Sequence, residues 1–226
     1  MAGLGFTPEQ HAQVTAAVAE AERTTDGEIV TIVSERSDAY HDVALHYGVG
    51  AMLLLAGAYA LFPGVVDTKL AWFQGGWIAE TELPQALLLL MVSQALVFLI
   101  VRFALAWAPL RLFLTPRLTQ GRSVRRRALQ FFKASAEKRT QNRVGILLYV
   151  SLAEHRAEIV ADEAIHSLVA PERWGEAMAA LVDGLRAGKA ADGMAGAVER
   201  IAAVLKEHFP KTDQDVNELP DRLIEL

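Results

Sequence analysis

Two long uncharged stretches stand out in the pattern of apolar and polar positions along the chain. Residues 43–66 contain no Asp, Glu, Lys or Arg. As a helix these 24 residues would be roughly 36 Å long at about 1.5 Å per residue, against a hydrocarbon core of about 30 Å. A second uncharged run, 83–101, carries Leu87, Leu88, Leu89, Leu90, Met91, Leu96, Val97, Phe98, Leu99 and Ile100. Arg102 closes it, placed to reach head groups while its stem lies on apolar surface. Neither run has the polar stripe of a soluble core helix, so the pattern predicts a two-helix transmembrane hairpin rather than two buried helices. The following stretch, 103–116, is apolar but interrupted by Pro109 and Pro116. It reads as the end of the second span followed by an interfacial elbow.

The flanking segments show the periodicities of a water-soluble fold. Thr7-Pro8-Glu9-Gln10 is a helix start, with Thr7 as cap, Pro8 in the first helical position and Gln10 completing a capping box. Val14, Val18 and Ala21 then recur on one helical face. Asp26-Gly27 is a turn, and 28–34 (EIVTIVS) is a β-branched run expected as a buried strand. Ser37 or Asp38 is expected to cap a helix leading into the first span. Beyond the hairpin, Ser123 is expected to cap a helix reaching about Thr140, with Leu129, Phe132 and Ala136 on one face. Strands are predicted at 144–151 and 157–161, joined as a hairpin through the turn at Glu154 and His155. Helices follow at about 162–169, 173–187 and 190–208, with Gly188 as a stop and Pro210 ending the series. The tail, 211–226, is polar and acidic. Residues 1–42 are too few to bury a core alone. The expectation is therefore one layered α/β domain, a few-stranded sheet flanked by helices, split as 1–42 and 115–210 around a membrane hairpin at 43–114.

Charge adds an orientation. Between Arg102 and Arg143 lie eleven basic residues and one acidic, Glu137, so a chain of net charge −5 holds a strongly positive segment and an acidic remainder. The connection 67–82 has one Lys and no Arg. The positive-inside rule places the basic flank in the cytoplasm, and two spans return both termini to that side. Trp72, Phe73 and Trp77 are expected as interfacial anchors on the outer face. The expected location is the inner membrane. Arg122, Arg125, Arg126 and Arg127 are expected to face anionic lipid head groups. Nucleic acid is not expected as a partner, because no aromatic side chains interleave with these arginines. The absence of cysteine excludes disulfides, thiolate zinc sites and a cysteine nucleophile. Met1–Gln10 lacks the basic cluster and apolar core of a cleavable signal peptide.

The order of motifs resembles the TPM domain family. Phe6-Thr7-Pro8-Glu9 opens a helix, and Thr25-Asp26-Gly27-Glu28-Ile29-Val30 is similar to the family's TGAEIVVV. Ala128-Leu129-Gln130-Phe131-Phe132 is like its central helix, and 144–151 (VGILLYVS) is like NGVLLLVS. Arg156 to Glu163 follows, and 185–193 (LRAGKAADG) is similar to FRAGDYAAGL. The ending, 217–224, looks like that of a bacterial membrane branch with two spans inside the domain. The resemblance implies an α/β fold. Some relatives are described as acid phosphatases, and divalent metal is associated with the fold.

Candidate chemistry is sparse. Asp162 and Glu163 stand where a strand hands over to a helix, where carboxylates either bind Ca²⁺ or Mg²⁺ or simply cap the helix. Glu28 and Asp38 lie near the two ends of the first strand, and either could approach Asp162. If a metal site exists, Asp162 anchors it with Asp38 or Glu163. His155 and His166, on a turn and a helix, lack the spacing of a zinc pair. Trp174 reads as a core anchor. No nucleotide loop or hydrolase elbow is present, and spans without internal ionisable residues give a channel no polar path. The sequence thus points first to a protein-docking or regulatory module at the membrane surface, with an unidentified membrane protein as partner. The alternative is a divalent-metal-dependent phosphatase, which the resemblance alone implies.

Overall fold

The computed structural model describes residues 6–73, 75, 82–135, 145–212 and 222–226. The chain forms two compact units, one from 1–38 with 117–226 and one from 39–116.

In the first unit, α1 (Pro8–Glu22) starts with the expected capping box. The Thr7 N–H donates to Gln10 Oε1 at 2.8 Å, and the Gln10 N–H donates to Thr7 Oγ1 at 3.3 Å. Four strands follow, β1 (Glu28–Ser34), β2 (Gly145–Ser151), β3 (Arg156–Ala161) and β4 (Ile224–Glu225), in the order β3-β2-β1-β4. β2 and β4 run parallel to β1, whereas β3 is the antiparallel hairpin partner of β2. Parallel neighbours cannot be joined by a tight turn. The β1–β2 crossover here contains the whole second unit and α6 (Arg117–Ser135).

Every residue of β1 and β2 is buried, which explains their uninterrupted apolar runs: helices cover both faces of the sheet. Ile29, Val33, Ile146, Leu148 and Val150 face α1, α8 (Gly175–Arg186) and α9 (Ala190–His208). Val30, Ile32, Leu147 and Tyr149 pack with Val124, Ala128 and Phe132 of α6. The α6 core face is therefore offset from the expected one, and Leu129 is 38% exposed. Ser123 lies inside α6 rather than capping it, because the helix already begins at Arg117 after Pro116. The part of this helix expected beyond Ser135 lies outside the described residues. α7 (Glu163–Leu168) and a 3-10 turn (Pro171–Trp174) precede α8, and Gly188, at φ +70°, provides the left-handed residue separating α8 from α9. The end of the expected acidic tail supplies β4: the Leu226 N–H donates to the Val33 carbonyl at 3.0 Å.

The second unit holds α2 (His41–Leu61), α3 (Pro63–Phe73), α4 (Leu83–Ala104) and α5 (Ala108–Leu114). α2 packs on α4, closely enough at Gly48 that a Cβ there would lie 2.9 Å from Phe98 Cδ2. Neither Ser37 nor Asp38 caps α2; Tyr40 stands at that position with φ 51° and without a side-chain cap. The uncharged run 43–66 is not one helix. Pro63 has no N–H to continue α2 and instead opens α3, which occupies much of the expected connecting loop. α2 and α4 are long and apolar enough to cross a membrane. Trp72 and Phe73 stack edge to face, 5.0 Å apart, and are exposed. Trp77 lies outside the described residues.

Candidate functional site

Polar side chains gather beyond the carboxyl ends of β1 and β2, the edge where open α/β sheets place their ligands. Glu154 in the β2–β3 turn is buried. Its Oε1 accepts from the Ser37 N–H at 3.1 Å, and its Oε2 accepts from the Ser151 hydroxyl. Ser37 Oγ lies 3.0 Å from the hydroxyl of Tyr149, which is fully buried on β2. His155, with φ 49°, closes the turn, its N–H donating to the Leu152 carbonyl at 3.2 Å. These contacts tie the segment leaving β1 to the hairpin after β2. Sequence reasoning took Ser37 for a cap and Glu154 for an ordinary turn residue. The only linear hint was a serine, Ser34 or Ser151, ending each strand at the same register position.

Next to this cluster, α6 turns basic side chains toward carboxylates. Arg126 Nη2 lies 2.6 Å from Asp38 Oδ2, which also accepts from Ser123 Oγ at 3.3 Å. Arg125 Nη1 lies 3.6 Å from Glu158 Oε2 on β3. Burial pushes the Glu158 carboxyl above its ordinary range, against the lowering influence of Arg125 and Arg156. The Arg127 guanidinium sits 4.8 Å from the centroid of the Phe131 ring. Of the four arginines expected to face lipid, Arg125 and Arg126 thus have carboxylates of the same unit and Arg127 an aromatic face.

Asp162 lies at the other end of the sheet. It occupies the N-cap position of α7, yet its side chain makes no capping bond. Its Oδ2 accepts from the Gly145 N–H at 2.8 Å, tying the start of β2 to the end of β3. Gly145 is in register with Glu28, so the buried carboxylates of Glu28 and Asp162 share this amino-terminal edge, with Glu163 next in the chain. Asp38 follows the opposite end of the seven-residue β1. At about 3.3 Å per residue the strand alone separates the two edges by roughly 20 Å. The structure therefore does not bring Asp38 to Asp162; the residue that shares an edge with Asp162 is Glu28. His155 and His166 are likewise at opposite edges. Trp174 packs against the core, as its place at a helix start suggested.

The family model of the TPM domain matches residues 108–204, from α5 into α9. Among curated proteins none matches the chain. The NMR structure of BA42 protein from the psychrophilic bacterium Bizionia argentinensis sp. nov. is similar in fold, with a TM-score of 0.56. The match has 16% identity and covers 98% of this chain and 95% of that one. The TPM-domain match thus spans α6, the β2–β3 hairpin and α8.

Proposed function

We propose that this is an integral membrane TPM-domain protein of the two-span bacterial branch, whose α/β unit is a docking or regulatory module at the cytoplasmic face of the inner membrane. The observation that supports this reading is the outward apolar surface of α2 and α4. No described side chain of α4 is buried, and Leu53, Leu54, Leu83 and Leu88 are each more than half exposed. Water would not tolerate so much contiguous apolar surface, whereas lipid covers it without cost. The basic segment beginning at Arg102 orients the hairpin. Around Asp38, Ser37 and Glu154 the polar groups bind one another, which suits a rigid docking surface. Reporters at both termini are expected to read cytoplasmic, and crosslinking in native membranes is expected to recover a defined protein partner. A C-terminal reporter on the outer side, or no partner, would count against this reading.

A second reading, a divalent-metal-dependent phosphatase, is favoured by one observation: Glu28 and Asp162 are both buried at one sheet edge, beside Glu163. It is tested by hydrolysis of a generic phosphomonoester with and without Mg²⁺ or Ca²⁺. Turnover that needs the metal and disappears in the Asp162→Ala, Glu163→Ala double variant would establish it. No turnover from folded protein would remove it.

A further inference from the structure

α6 packs on the sheet through Val124, Ala128 and Phe132. Away from that contact, Leu118, Arg122, Arg126, Leu129 and Lys133 follow at intervals of three or four residues, so they form one stripe along the helix. All five are exposed, Leu118 to 77%. The helix holds six basic residues and no acidic one.

The charges of this helix are unequally matched. Arg126 is held by Asp38, yet its side chain is still 64% exposed. Among the described residues no ion pair holds Arg122 or Lys133. The four arginines that the sequence groups together therefore separate. Arg125 pairs with Glu158, Arg127 covers the Phe131 ring, and Arg122 joins Lys133 on the stripe. A face that mixes leucine with uncompensated cations fits a surface that is anionic outside and apolar just beneath, as the head-group boundary of a bilayer is. An acidic protein surface would match the charges but not Leu118, exposed in the first turn. The chain also enters α6 directly after Pro116, where the unit with the two membrane-length helices ends.

We propose that this stripe lies on anionic phospholipid, with Arg122, Arg126 and Lys133 at the phosphates and Leu118 and Leu129 turned toward the acyl chains. The α/β unit is thereby held in one orientation, with α8 and α9, on the other face of the sheet, directed away from the bilayer. The proposal rests on the membrane reading above and names the lipid class that the docking unit itself touches. Each basic side chain near such a surface favours docking roughly fivefold, so the two unpaired ones contribute roughly thirtyfold.

The chain has no cysteine, so a single introduced one can carry a fluorophore. The test places the full chain in nanodiscs of phosphatidylcholine, with or without phosphatidylglycerol, and measures quenching by spin-labelled lipid. Labels go at Leu118→Cys, at Ala203→Cys on the exposed side of α9, and at Leu88→Cys on α4. Quenching at position 118 should rise with phosphatidylglycerol and fall back in salt near 1 M, where the Debye length is about 3 Å. Position 203 should stay unquenched. Arg122→Gln with Lys133→Gln should lower the docking equilibrium at 118 roughly thirtyfold. Arg200→Gln with Lys206→Gln on α9, which removes as much charge, should leave it unchanged. Quenching at 118 that ignores phosphatidylglycerol, or that survives the α6 variant, would overturn the proposal. So would a photocrosslinker at 118 that captures protein and no lipid in native membranes, since the stripe would then face an acidic partner. Position 88 separates the two levels. A label there that no lipid quenches refutes the membrane reading, whereas a quenched one beside a silent 118 refutes only the assignment of α6.

Discussion

Gly184 on α8 and Gly193 on α9 bring the two helix backbones into direct contact. A Cβ at Gly184 would lie 2.5 Å from Gly193 Cα, 2.8 Å from Gly193 N and 3.0 Å from the Lys189 carbonyl oxygen. All three neighbours are backbone, so no side-chain rotation relieves the clash. Carbon atoms pack best at roughly 3.5–4.0 Å, so Gly184→Ala must part the helices by about 1 Å. Overpacking of this kind costs about 1–3 kcal/mol. Replacing a helical glycine by alanine returns about 0.5–1 kcal/mol. The net expectation is a loss of roughly 1–2 kcal/mol. Gly196 on α9 is the matched control. There a Cβ would approach only Arg200 Nη1, at 3.2 Å, the end of an exposed, flexible side chain that donates to the Gly196 carbonyl at 2.7 Å and can shift into solvent. Gly196→Ala should therefore stabilise by about 0.5–1 kcal/mol. Both variants can be compared by urea denaturation in detergent, followed by near-ultraviolet circular dichroism. The same substitution should have opposite signs at Gly184, in the helix contact, and at Gly196, three residues beyond Gly193. If Gly184→Ala proved as stable as Gly196→Ala, the backbone contact would not be the constraint argued here.

Glu154→Ala should destabilise the α/β unit by roughly 2–4 kcal/mol, since it strands the Ser37 N–H and the Ser151 hydroxyl in a buried site; a denaturation midpoint unchanged from the parent would refute that. Glu158→Gln tests the raised carboxyl on β3. A carboxyl whose folded-state pKa is raised contributes stability that is present below its unfolded value and lost as pH rises through the folded one. The glutamine variant should therefore be the more stable near neutral pH, with the difference vanishing below about pH 4. Lower stability of the variant at neutral pH would mean that the ion pair with Arg125 outweighs burial. Asp38→Asn with Arg126→Gln, taken through a double-mutant cycle, should give a coupling of only about 0.2–1 kcal/mol, because the pair is partly exposed.

Several elements could be read from local pattern because their causes are local. The capping box at Thr7 and Gln10 depends on residues three apart. The apolar runs of β1 and β2 record burial along a whole element, and the uncharged lengths of α2 and α4 are read directly from composition. Other features escaped because averaging hid a local break or because the deciding neighbour lies far away in the chain. Pro63 ends one helix and begins another, but hydropathy averages across it. Helical spacing alone could not tell which face of α6 meets the sheet, so Leu129 was placed inside and Val124 missed.

The sequence by itself determined the order of elements, the segregation of apolar and basic segments and the family resemblance, since each depends on neighbours within a few residues or on composition. Only the tertiary structure decided which carboxylates could act together. The parallel register of β1 and β2 puts Glu28 beside Gly145 and Asp162, and sends Asp38 to the far edge with Arg126 and Ser123. It also revealed the Glu154 cluster. Strand register and helix packing join residues a hundred or more positions apart, and no local periodicity encodes that pairing.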